Sequence, residues 1–138
     1  RTSRRQRQMC IRDSSWQRVA SMPEGLYGHA AAAMGGKIYV TGGCIQGSET
    51  NQGSSVSSAY VYDPQADVWT QLASMSTARQ AHASTAVGGK LYIFGGADDP
   101  VSTSGCLSTA EIYDPASNSW AQGPGLTSAR DFLRAVAL

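Results

Sequence analysis

Residues 82–96 read HASTAVGGKLYIFGG, and residues 29–43 read HAAAAMGGKIYVTGG. Each stretch is a run of small residues, a Gly-Gly pair, an alternating apolar run, and a second Gly-Gly pair. Gly88-Gly89 can take the positive φ values that a two-residue hairpin turn needs. In Lys90–Phe94 the alternation puts Leu91 and Ile93 on one face and Tyr92 and Phe94 on the other. The pattern therefore predicts two short antiparallel strands joined by a tight turn, twice.

Working outward, the likeness extends well past these hairpins. Between Trp16–Gly43 and Trp69–Gly96, thirteen of 28 positions are identical, among them Trp16/Trp69, Met22/Met75 and His29/His82. Downstream, Tyr62-Asp63-Pro64 recurs as Tyr113-Asp114-Pro115, Trp69 as Trp120, and Ala78-Arg79 as Ala129-Arg130. A period near 50 residues means stacked supersecondary units that bury their apolar surface against one another. Within a unit, Ala110–Tyr113 reads as a third strand. Asp114–Asn118 is a turn, with Asp capping locally, Pro fixing φ and Asn tolerating the left-handed region. Trp120 begins a fourth strand. The expectation is an all-β chain of four-stranded antiparallel meanders.

The double glycine closing strand two, the Tyr-Asp-Pro of strand three and the Trp of strand four resemble the kelch repeat. The resemblance covers Ser15 to Leu138 and implies a partial β-propeller, each repeat forming one blade around a central channel. Blades are expected at about 29–72 and 82–123. Trp16 to about Ala20 would be the last strand of a preceding blade, and Phe132–Leu138 the first strand of a following one. The remaining blades of a ring would lie outside this chain. Ala30–Ala33 suit a crowded innermost strand, and Trp69 and Trp120 suit packing between blades.

The resemblance also implies a function: a protein-interaction module, with rigid strands holding variable loops. The loops Cys44–Ser58 and Ala97–Thr109 are polar and unalike. They are the expected contact surface for another protein or peptide, possible roles including a substrate adaptor. Family members place arginines, and small hydroxyls just before strand three, where a partner can meet them. That carries over to Arg79, Arg130, Ser58 and Thr109 as candidate partner-binding residues, a guanidinium being suited to carboxylates; the alternative for the two arginines is a structural role, bonded to loop carbonyls of a neighbouring blade. No catalytic, cofactor or metal residue is expected. The alternative is a sugar-active kelch enzyme, galactose oxidase-like or sialic acid epimerase-like. The oxidase needs a Tyr–Cys cross-link and two His ligands, a cluster the sequence does not display. Glu24 and Asp131 are the carboxylates an epimerase could place near the mouth.

His29 and His82 recur at one repeat position, with Leu133 in the third, which favours a structural imidazole with a backbone partner. Asp98-Asp99 is a weak cation motif, better read as a solvated loop. Cys44 and Cys106 lie in corresponding loops, and free thiols are the default.

Composition fits the blades. Charged residues are 15% of the chain and glycine supplies 15 of 138 residues, against about 25% charged and about 7% glycine in ordinary domains. The net charge of +1 points to no nucleic acid, and no apolar run reaches membrane-spanning length. No compartment is legible, with the cytoplasm favoured. Five basic residues crowd the first twelve positions. Residues 4–14, RRQRQMCIRDS, match a translated sequencing-library adapter, so residues 1–14 are expected to be non-native. Without them six basic residues face nine acidic ones, a net charge of about −3.

Overall fold

The computed structural model describes residues 15–47, 53–99 and 105–137. The adapter-like head, residues 1–14, lies outside the described residues. Ten strands are present among them, and no helix. Strands β1 (Ala30–Met34), β2 (Lys37–Thr41), β5 (Ala59–Asp63) and β6 (Val68–Gln71) form one antiparallel sheet in that spatial order. Strands β7 (Ala83–Val87), β8 (Lys90–Phe94), β9 (Ala110–Asp114) and β10 (Ser119–Gly123) form a second of the same order. Between β2 and β5 lies a short hairpin, β3 (Cys44–Ile45) with β4 (Ser54–Ser55). The two meanders, here blade 1 and blade 2, are those expected from the repeat.

Each turn follows from its residues. Gly35-Gly36 and Gly88-Gly89 have positive φ and set the registers Met34↔Lys37 and Val87↔Lys90. The β5–β6 and β9–β10 turns put Asp67 at φ 53° and Asn118 at φ 47°. Both are residue types whose side chains bond locally and so tolerate that region. At each, the side-chain oxygen accepts the hydroxyl of the preceding tyrosine: Tyr62 to Asp67 at 2.7 Å and Tyr113 to Asn118 at 2.8 Å. The same oxygen accepts a backbone N–H from the segment crossing the blade, Ala20 onto Asp67 and Ala73 onto Asn118. The Asp67 carboxyl is held below the usual range, first by the Ala20 N–H and then by the Tyr62 hydroxyl.

The core lies between the blades. Tyr39, Met75, Leu91, Ile93 and Tyr113 are buried together, flanked by Ala32, Met34, Val61, Leu72 and Trp120. The Tyr39 and Tyr113 rings meet at 6.1 Å, tilted by 53°. Trp120 packs its ring 5.0 Å from Tyr113 and donates Nε1–H to the Ala73 carbonyl at 2.7 Å. Trp69 repeats this against Tyr62 and the Ala20 carbonyl. The inner strands β1 and β7 lie side by side, which the all-alanine start of β1 permits. Cys44 and Cys106 are free thiols.

Two features lie outside the paired strands of the meanders. Trp16–Ala20 and residues 132–137 carry no strand pairing. A strand needs a neighbour to accept its ladder, and neither end segment has the other strands of its blade beside it. Trp16 is accordingly fully exposed, and Phe132 is 80% exposed. The loop after β2 is also more ordered at its base than expected, because the β3–β4 hairpin continues it.

Burial against a neighbour, more than residue type, sets the energetics. Leu91 is fully buried, while Ile38, at the same repeat position of blade 1, is 40% exposed. Leu91→Ala is expected to cost about 3 kcal/mol, and Ile38→Ala about 1 kcal/mol. Urea denaturation of the two variants checks the difference. Equal costs would show that blade 1 does not cover Leu91 in solution.

Candidate functional site

Strand β2 ends where β1 begins, since Ala30 pairs with Thr41, and β8 with β7 does the same through Ala83 and Phe94. The β2–β5 and β8–β9 loops therefore emerge on the face where the inner strands start. The segments linking one blade to the next cross that face too. This is the loop face, and it holds all four residues expected to meet a partner.

The loop stems are built alike from different sequences. Gly42 N–H donates to Ser58 O, and Gly95 N–H to Thr109 O. Val56 N–H donates to Gly43 O, and Leu107 N–H to Gly96 O. The glycines are required here. Gly42 has φ 57° and Gly43 φ 104°; a Cβ on Gly42 would collide with the Arg79 carbonyl, and one on Gly43 with that of Tyr27. In each loop a bridge closes the stem, Cys44 with Ser55 in one and Ala97 with Cys106 in the other.

Arg79 takes the structural one of its two expected roles, bonded to loop carbonyls of the neighbouring blade. Its side chain is fully buried. Nη2 binds the Glu111 carboxylate at 2.9 Å and Thr109 Oγ1 at 3.1 Å, while Nη1 donates to the carbonyls of Gly95 and Thr109. The other Glu111 oxygen accepts from the Ser76 N–H and hydroxyl. The Arg79 backbone belongs to blade 1, donating to Val56 O and accepting from Gly43 N. Arg79 thus clasps the two blades, and its carboxylate is internal. Thr109 is part of the same network, so its hydroxyl is also engaged. Ser58 is half-buried, and its carbonyl holds the loop stem. Thr109 and Arg130 are the exposed residues of the four, and Arg130 is bonded through Nε to Ser128 Oγ at 3.1 Å.

Sequence reasoning missed Glu111. A signal for it existed in the repeat. Blade 1 carries Tyr60 where blade 2 carries Glu111, and Leu26 where blade 2 has Arg79. The charged pair is replaced at both ends together. Tyr60 instead donates its hydroxyl to Glu24 at 2.9 Å, which engages one of the two carboxylates considered for acid–base work. Asp131, the other, is half-buried in the segment after Arg130.

His82 is buried, as expected for a structural imidazole, but its partner is a side chain of the neighbouring blade. Nε2 lies 2.9 Å from Thr41 Oγ1. Burial first, then the Arg79 guanidinium and His29, lower its pKa from 6.5 to about 3. His29 is exposed, no threonine of another described strand lying against it. Together with Ser84, Leu133 and Arg134 these histidines border a cavity of about 300 Å³ at the start of the inner strands. No group of three or more metal-ligating side chains occurs among the described residues.

A family model described as the Attractin/LZTR1 beta-propeller matches residues 2–136. An F-box/kelch-repeat protein of Arabidopsis thaliana is 36% identical over 78% of this chain and 27% of its own length. Kelch-like protein 36 of Bos taurus is 32% identical over 77% of this chain and 17% of its own. The chain thus spans about a quarter or less of the length of these relatives. Among solved structures, that of YjhT superposes with a TM-score of 0.70 at 17% identity, over 82% of this chain and 41% of that one. At that identity the likeness concerns the fold alone.

Two expected outcomes follow from the clasp and the imidazole. Arg79→Leu leaves the Glu111 carboxylate buried without its counter-charge and should cost about 3–5 kcal/mol. The double replacement Arg79→Leu with Glu111→Tyr, the pair blade 1 carries, should cost less than Arg79→Leu alone in urea denaturation. For His82, the folded pKa lies below the unfolded value. Its contribution is therefore complete above pH 6.5 and declines as pH falls toward 3. The decline is about 1.4 kcal/mol per pH unit. His82→Gln should flatten this part of the stability–pH curve, measured between pH 7 and pH 4.

Proposed function

Because this chain belongs to the Attractin/LZTR1 β-propeller family and is built of kelch repeats, we propose that it is part of a protein-interaction module. In this reading it contacts another protein or peptide through the loops of one face, in the manner of a substrate adaptor. The observation that carries the reading is the contrast between loop stems and loop tips. The stems are fixed by the same backbone bonds in both blades. The intervening residues, 47–53 and 98–105, share no sequence. A surface that can change freely on a support that cannot is suited to partner selection. The names of the relatives, F-box/kelch-repeat and kelch-like proteins, support the same reading.

The contact surface proposed here is narrower than the four residues expected from sequence. Arg79 and Thr109 hold blades together, and Ser58 holds a stem. What remains for a partner is the loop tips, with Asp98 and Asp99 at the second of them. The acids outweigh the bases on these tips, so a partner with a basic contact segment is favoured.

The test compares faces. In the complete propeller, residues 47–53 and 98–105 are replaced by Gly-Ser segments of equal length. A matched variant alters the opposite-face turns at Gln65 and Ala116. Partners recovered by proximity cross-linking should be lost with the loop variant and kept with the turn variant, while both retain wild-type melting. Equal retention by both variants would overturn the reading.

A further inference from the structure

A cleft of about 500 Å³ lies between blades 1 and 2 on the face opposite the loops. The β1–β2 turn borders it at Gly35 and the β7–β8 turn at Gly89. Nothing stands within 4 Å of where a Cβ on either glycine would be, so these turns do not close its entrance. Val61 and Leu72 form one wall and Tyr113 the other. Its size and its apolar, partly aromatic lining are those of a small-molecule site, for which about 300–1,000 Å³ is usual. Both blades supply the walls, so the cleft follows from the packing already described.

Two polar groups converge on this apolar space. The first is the Tyr39 hydroxyl. Four tyrosines are buried among the described residues: Tyr39, Tyr60, Tyr62 and Tyr113. Three of them donate their hydroxyls to side chains, Tyr60 to Glu24, Tyr62 to Asp67 and Tyr113 to Asn118. Tyr39 is 8% exposed, yet its hydroxyl has no hydrogen-bond partner among the described residues. The side-chain atoms sealed from solvent without a partner are Arg79 Nε, His82 Nδ1 and Ser84 Oγ. The Tyr39 hydroxyl is not one of these, so it keeps an open side, and the space Tyr39 borders is the cleft. A buried tyrosine is normally bonded, and here the bond is left for a ligand.

The second group is the Lys37 ammonium. Lys37 is the one charged residue bordering the cleft. Its Nζ lies 3.2 Å from Asp63 Oδ2, which engages one of three N–H donors. Asp63 is held independently by the N–H groups of Gln65 at 2.9 Å and Ala66 at 3.3 Å. Lys37 is therefore able to turn toward a ligand without leaving that carboxylate bare.

We propose that this cleft binds a small aromatic carboxylate. The flat apolar body lies between Val61, Leu72 and Tyr113, and the carboxylate accepts from the Tyr39 hydroxyl and the Lys37 ammonium. The class is named by charge complementarity to Lys37 and by the free donor on Tyr39. The site is on the opposite face from the loops, and the inference does not depend on which partner they select.

The test titrates the 138-residue chain with naphthoate and with its uncharged counterpart naphthamide, followed by backbone-amide NMR shifts. Naphthoate should bind with a dissociation constant of about 1 mM or below. The amides of Gly35, Lys37 and Gly89 should move, and those of Gly42 and Gly95 on the loop face should not. Lys37→Gln should weaken naphthoate about 10-fold and leave naphthamide unchanged. It alters only an exposed ion pair, so the fold is kept. Tyr39→Phe retains the ring in the core and should weaken both probes about 3- to 10-fold. Absence of naphthoate binding, equal shifts on the two faces, or a naphthoate affinity indifferent to either substitution would overturn the proposal.

Discussion

The packing of one sheet against the next, centred on Tyr39 and Tyr113, is the contact on which the rest of this structure depends. A four-stranded meander this short has two faces and no residues of its own to cover either. Leu91 and Ile93 are removed from water only because Ala32, Met34 and Tyr39 of the preceding blade lie over them, with Met75 of the linker between. At roughly 25 cal/mol per Å² of apolar surface, the two faces are worth more together than any bond within a blade. That is why residues of one type differ so much in exposure between the blades, and why stability has to be counted per interface.

The linker turns that packing into a fixed geometry. It crosses the blade ahead with its backbone bonded to both blades and its side chains bonded forward. The Trp120 indole and the Asn118 amide grip Ala73, Met75 fills the core, and Arg79 reaches Glu111. The order of these contacts along seven residues, Ala73 to Arg79, leaves little freedom for one blade to slide on the other. Rigidity at this level is what allows a loop to be long without disturbing the sheet below it.

Much of the architecture was legible in the sequence because it rests on local chemistry. The Gly-Gly pairs, Tyr-Asp-Pro and the tryptophans act within a few residues of where they stand, so period and register could be read directly. What was not legible depends on distant partners. Arg79 is a surface arginine or a buried one according to whether residue 111 is acidic, and the two are 32 positions apart. His82 was recognisable as structural, but not its bond to Thr41, which is 41 positions away in another sheet. The end segments join no ladder among the described residues for a related reason. Strand propensity without a neighbour has no ladder to join.

The two kinds of information are separated in the repeat itself. Backbone bonds between linker and loop stem are the same in both blades, whereas the side-chain pairs across the interfaces are not. Thr41 with His82 becomes Phe94 with Leu133, and Arg79 with Glu111 stands opposite Leu26 with Tyr60. A shared backbone frame makes any blade able to follow any other. Differing pairs remove that freedom, since a histidine against phenylalanine or an arginine against tyrosine would leave a buried polar group unsatisfied, at about 1–3 kcal/mol or more. Such mismatches act against wrong order more strongly than the matches act for the right one. The loop tips carry neither burden, and this leaves their sequence free to answer to a partner alone.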